Sequence, residues 1–142
     1  MNLKSLTAAA ALTLLIAGTA HAETQNFMAM LKGADEVPAN TEKGTGMLMA
    51  TLDTATKTFS YSVTFKDLTG PATAAHFHGP AAPGTNAGPT VPVPAPVMSP
   101  VKGTATLTDA QIADLQAGKW YFNLHTLAHG PGEIRGQITA SK

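Results

Sequence analysis

The sequence predicts an all-β protein: an antiparallel Greek-key sandwich or flattened barrel of about seven short strands with one brief helix. Three observations carry that expectation. Apolar and polar residues alternate with period two along most runs, turn signals recur at short intervals, and a single segment shows helical start and stop signals. Antiparallel sandwiches and barrels are the architectures that fit many short strands so punctuated.

Met1 to Ala22 reads as a secretory leader rather than as part of the fold. Lys4 supplies a positive start, Leu6 to Ala17 an apolar stretch, and Ala20-His21-Ala22 the small-x-small cleavage pattern. Cleavage after Ala22 leaves 120 of the 142 residues, Glu23 to Lys142, enough for one domain around one core. No later run reaches the roughly 20 apolar residues of a membrane-spanning helix, so an exported protein, periplasmic or secreted, with no membrane span is expected.

Asn26 to Leu31 alternates as a first strand, and Gly33 to Pro38 follows as a loop. Gly46 to Leu52 puts Leu48, Ala50 and Leu52 on one face and Met47, Met49 and Thr51 on the other. Asp53 to Lys57 makes a turn into Thr58 to Lys66, where Phe59, Tyr61, Val63 and Phe65 repeat at period two. These two strands form a hairpin. Asp67 to Pro71 turns again, and Ala72 to His78 is the next strand. From Gly79 to Pro100 the prolines forbid a continuous ladder, so this stretch is expected to be an extended loop, and a connection of that length is more often functional than idle. Val101 to Leu107 is a strand candidate. Thr108-Asp109-Ala110-Gln111 fits a capping box and Gly118 stands at a helix end. Lys119 to Thr126 and Gly132 to Thr139 are the last two strands.

Charge and composition narrow the chemistry. The leader removes one of nine basic residues, so eight face nine acidic ones, a net charge of −1 that points to no nucleic acid. Without cysteine there is neither disulfide nor thiolate, and any metal must take imidazole, carboxylate or thioether. No nucleophile elbow and no phosphate-binding glycine motif is present.

The histidines stand out against this background. On a strand His76 and His78 share a face while Phe77 points to the other, and His125 shares a face with Tyr121 and Asn123. A lone strand histidine is ordinarily a packing residue, but two at i and i+2 with a third on another strand give the three-imidazole set that copper or zinc accepts. Asn123, Thr126 and Glu133 are candidate partners for the rings' second nitrogens. His129, in a Gly-Pro loop, is a fourth candidate ligand. Arg135 is the candidate catalytic residue, a fixed positive charge for a small anion such as superoxide, with pairing to Glu133 as the plainer role. Asp35 and Glu36, beside a turn, are expected to be solvated. Met28, Met30, Met47 and Met49 lie in pairs on one face of their strands; they are expected to be soft filling between sheet and loop, although thioethers also bind Cu(I).

Ala75-His76-Phe77-His78-Gly79-Pro80-Ala81, Leu115-Gln116-Ala117-Gly118, Tyr121 to Thr126 and Gly132 to Gln137, with Gly33 to Pro38 before them, resemble the CHRD domain in order and spacing from about Phe27 to Ile138. The family often carries Asn before Pro131, where this chain reads His129-Gly130. The resemblance implies an extracellular or exported domain and no agreed chemistry. The order of His76, His78, His125 and Arg135 is also similar to the copper superoxide dismutases, where a His-x-His strand, a later strand histidine and a late arginine form the copper site. That similarity implies a copper cofactor and superoxide chemistry; the imidazole set by itself leaves zinc as the alternative metal, and exchange with a copper donor or acceptor as the alternative role. The competing expectation is a non-catalytic binding module that recognises a partner through the Gly79 to Pro100 loop.

Overall fold

The computed structural model describes residues 22–142, so the expected leader, apart from Ala22, lies outside the described residues. Nine strands make one antiparallel sheet: β1 (Thr24–Lys32), β2 (Thr45–Asp53), β3 (Thr58–Lys66), β4 (Ala72–His78), β5 (Pro89–Pro92), β6 (Val101–Thr106), β7 (Tyr121–Thr126), β8 (Ile134–Gln137) and β9 (Thr139–Ser141). Their order across the sheet is β5-β4-β7-β8-β1-β2-β3-β6, with β9 also on β1, and the sheet curls into a nearly closed barrel.

Alternation sets which way each strand faces. Phe27, Ala29 and Leu31 of β1, Leu48, Ala50 and Leu52 of β2, and Phe59, Tyr61 and Val63 of β3 are all buried, and their alternate neighbours point outward. From the other side of the barrel Phe77, Phe122 and Trp120 enter the same core. Phe77 meets Phe59 edge-on at 5.3 Å and Tyr61 at 4.9 Å, joining β4 to β3 through the interior. Each such ring contributes about 1.5–3 kcal/mol by leaving water. The inward turn of Phe77 is what commits His76 and His78 to the outer side.

The β2–β3 turn is held by Asp53, whose Oδ1 accepts from the Ala55 and Thr56 amides at 2.9 Å each. Helix α1 (Asp109–Gln116) starts on the expected capping box, with Thr108 Oγ1 accepting from Gln111 N and Gln111 Oε1 accepting from Thr108 N. It ends at Gly118, whose φ of +69° suits a residue without Cβ.

Two sequence expectations need correction. The Gly79 to Pro100 stretch is not loop throughout, because β5 pairs Val91 with Phe77 and covers the β4 edge. Its two prolines stand at the strand's ends, where an edge strand tolerates a missing amide. The last expected strand is two, since Ile138 breaks away to donate to Trp120 O at 2.9 Å, leaving β8 on β7 and β9 on β1. Among the described residues, no helix is long and apolar enough to cross a membrane.

Candidate metal centre

Strands β4 and β7 lie side by side, with His76 opposite Asn123, His78 opposite Tyr121 and His125 opposite Ala74. This register brings the three outward imidazoles together, with one ligand atom from each inside a 4.8 Å span. His76 Nδ1 and His125 Nε2 are 3.1 Å apart. An ion about 2.05 Å from each nitrogen would subtend about 100° between them, a normal angle for cis ligands of a tetrahedral or tetragonal ion. The spacing of the pair thus suits two ligands of one ion, once the proton shared between them is lost.

In two of the three rings, His78 and His125, a nitrogen is tethered to a backbone carbonyl, as ligating histidines require. His125 Nδ1 lies 2.9 Å from Gly130 O, so it donates there and leaves Nε2 with its lone pair aimed at His76. His78 Nδ1 lies 2.9 Å from Ala87 O and Nε2 3.0 Å from the Asn123 side chain. A neutral His78 has one N–H for two acceptors, Ala87 O and Asn123 Oδ1, and the Asn123 amide is itself held by Nδ2 donating to Pro131 O at 3.4 Å. An ion at Nε2 would replace the contact with Asn123 Oδ1, leaving the ring N–H on Nδ1 for Ala87 O. Burial holds His76 below the usual imidazole range, reinforced by His125 and His78. It does the same for His78, against the opposing hydrogen bonds from Ala87 and Asn123. Both rings are thus neutral near pH 7, the form that coordinates.

The other candidates are placed differently. His129 Nε2 pairs with Glu42 Oε1 at 3.2 Å, outside the trio. Arg135 is 1% exposed. Its guanidinium donates to Asn86 Oδ1 at 2.8 Å and Thr85 O at 2.6 Å and lies 3.5 Å over the Tyr121 ring. Tyr121 in turn stacks on His78, the rings parallel to within 1° and 4.7 Å apart. Arginine and histidine thus belong to one layered stack, yet the charge is turned to the loop rather than to solvent. Glu133 is not the arginine's partner. It accepts from Thr126 Oγ1 at 2.6 Å and from Thr69 N and Oγ1 at 2.7 and 2.5 Å. Burial opposes its ionisation, but these bonds hold it below the usual carboxylate range. Of the three candidate ring partners, Asn123 alone touches a histidine of the trio.

Sequence reasoning missed two participants. Glu36, expected in solvent, is 6% exposed, and burial pushes its carboxyl up to about 7 against the pull of Arg135. Together they line a cavity of about 290 Å³. The segment from Ala81 to Ala87 is the second. It is latched by His78 and Tyr121 at Ala87, by Arg135 at Thr85 and Asn86, and by Gln137 at Ala81. The outward alternation of Tyr121, Asn123 and His125 was the available signal for this polar wall, but not for what covers it.

No curated protein and no solved structure matches the chain. The CHRD domain family does match, over residues 27–138, a span that takes in every strand carrying the histidine trio. The chain belongs to the CHRD domain family.

Proposed function

We propose that this CHRD-domain protein is exported and handles copper, holding one mononuclear ion through His76, His78 and His125 and passing it between a donor and an acceptor. The observation that carries the reading is the 3.1 Å approach of His76 Nδ1 to His125 Nε2, each on a rigid strand and with the third imidazole beside them. Copper is favoured over zinc because an all-imidazole set with no carboxylate or thiolate binds Cu(II) more tightly in the general order of divalent affinities. Three ligands leave a position open, which suits transfer. Export is supported by the leader pattern of Met1 to Ala22.

Transfer is favoured over superoxide dismutation because of Arg135. An anion guide needs an accessible charge, and this guanidinium is spent on Asn86, Thr85 and Tyr121. The test is the metal content of the purified mature protein and its Cu(II) electron paramagnetic resonance spectrum, for wild type and for His76→Ala with His78→Ala. One copper per chain and a nitrogen-rich spectrum abolished by the double substitution are expected. Stoichiometric zinc, or a spectrum indifferent to the substitution, overturns the reading. A superoxide assay on the copper-loaded protein should show little activity, unchanged in Arg135→Ala.

A further inference from the structure

The outer face of the β1–β2 hairpin carries something the histidine trio does not explain. Met28 stands directly opposite Met49, and Met30 opposite Met47. They are not filling, as their sequence suggested, because all four point away from the core and are between 36% and 63% exposed. Met47 and Met49 face Thr64 and Ser62 on β3, and Met28 faces Thr139 on β9, so small hydroxylated residues frame the thioethers. A cavity of about 250 Å³ opens beside Met30 and Met47.

The choice of residue is informative. An exposed strand that packs on a partner is best served by β-branched and aromatic side chains, and methionine has no β preference to recommend it. What methionine offers is a flexible stem ending in a soft sulfur. Directly opposite residues have Cβ atoms about 4.5–5.5 Å apart. Successive same-face residues lie about 7 Å apart along a strand. Four three-torsion side chains rooted on that small rectangle can bring their sulfurs to one point above the hairpin. Neutral thioethers without a carboxylate among them select a soft monovalent ion over hard divalent ones.

We propose that Met28, Met30, Met47 and Met49 form a second metal site, specific for Cu(I), on the outer face of the β1–β2 hairpin and independent of the histidines. The test is an anaerobic titration of the mature protein with Cu(I) against a chromophoric Cu(I) chelator. A parallel titration with Ag(I), which mimics Cu(I) without redox chemistry, is followed on the methionine methyl resonances. Four methyls should shift and saturate at one Ag(I) per chain while that of Met98 stays in place. Replacing the four by leucine, an exposed change of similar volume, should remove one Cu(I) equivalent; the triple change His76→Ala, His78→Ala and His125→Ala should leave it. Unmoved methyls, a leucine variant with undiminished Cu(I), or a response lost with the histidines overturns the proposal. So does a wild-type dimer that Ag(I) leaves intact and the leucine variant retains, because the face is then an interface between copies. Should the leucine variant fail to fold, the wild-type methyl titration decides alone.

Discussion

Glu36 shows how one side chain couples the fold to pH. In the folded chain its carboxyl holds a proton up to about pH 7, whereas in the unfolded chain it releases it near 4.5. Between those values the folded state carries the extra proton, so stability is greatest below the lower one and falls as pH rises to the upper. The loss is at most on the order of 3 kcal/mol. Glu36→Gln should therefore flatten the pH dependence and be the more stable chain at pH 8, with little difference at pH 4. Urea unfolding of both proteins at those two pH values checks it, and equal slopes would show that the carboxyl is not protonated in the fold. Such a residue is hard to read from sequence. Its neighbours Asp35 and Val37 belong to an ordinary turn, and its burial comes from Gly132 and Arg135, about a hundred positions away; a Cβ on Gly132 would stand within 3 Å of the Glu36 carboxylate oxygens.

Among the elements, strands with a clean period of two were legible to the residue: β3 and β4 begin and end where alternation and turn residues place them. The histidine trio was legible for the same reason, since parity alone puts His76 and His78 on one face. β5 was not, because its four residues include two prolines and its pairing with β4 is a tertiary fact. The role of Arg135 was hidden likewise, as its partners Thr85 and Asn86 lie on a segment with no periodicity. That role makes a prediction about the covering segment. Arg135→Lys keeps the charge but loses the planar fork and its stacking on Tyr121. Amides from Ala81 to Ala87, including Ala87 N–H on Tyr121 Oη, should exchange with solvent at least about tenfold faster, while those of β2 and β3 keep their rates. Unchanged exchange would mean that Gln137 and Tyr121 suffice as latches.

At the scale of the whole molecule, the barrel joins through a narrow seam. β8 meets β1 at Lys32 and Arg135, and Gly136 lies so close to Met30 O that a Cβ there would overlap it. The trio sits on β4 and β7, beyond β8 on one side of this seam, so an ion bridging them ties together one wall of the molecule. Binding to the folded chain alone stabilises it by about 2.7 kcal/mol at a hundredfold excess over Kd. For a domain of this size that corresponds to a rise in Tm of about 10 °C. Cu(II), which the thioether site does not select, should produce that shift in wild type and not in His76→Ala with His78→Ala, as scanning calorimetry at pH 7 will show. The parity of β4 has one further consequence, for how this gene tolerates insertions and deletions. Phe77 occupies the core while its two neighbours face outward, so losing or gaining a single codon between Ala72 and Phe77 exchanges an aromatic ring for an imidazole on both sides of the wall at once. Loss of core and loss of ligands then arrive together. Length changes in this strand are confined to multiples of two residues, whereas the Gly79 to Gly88 segment beyond it is free of that constraint.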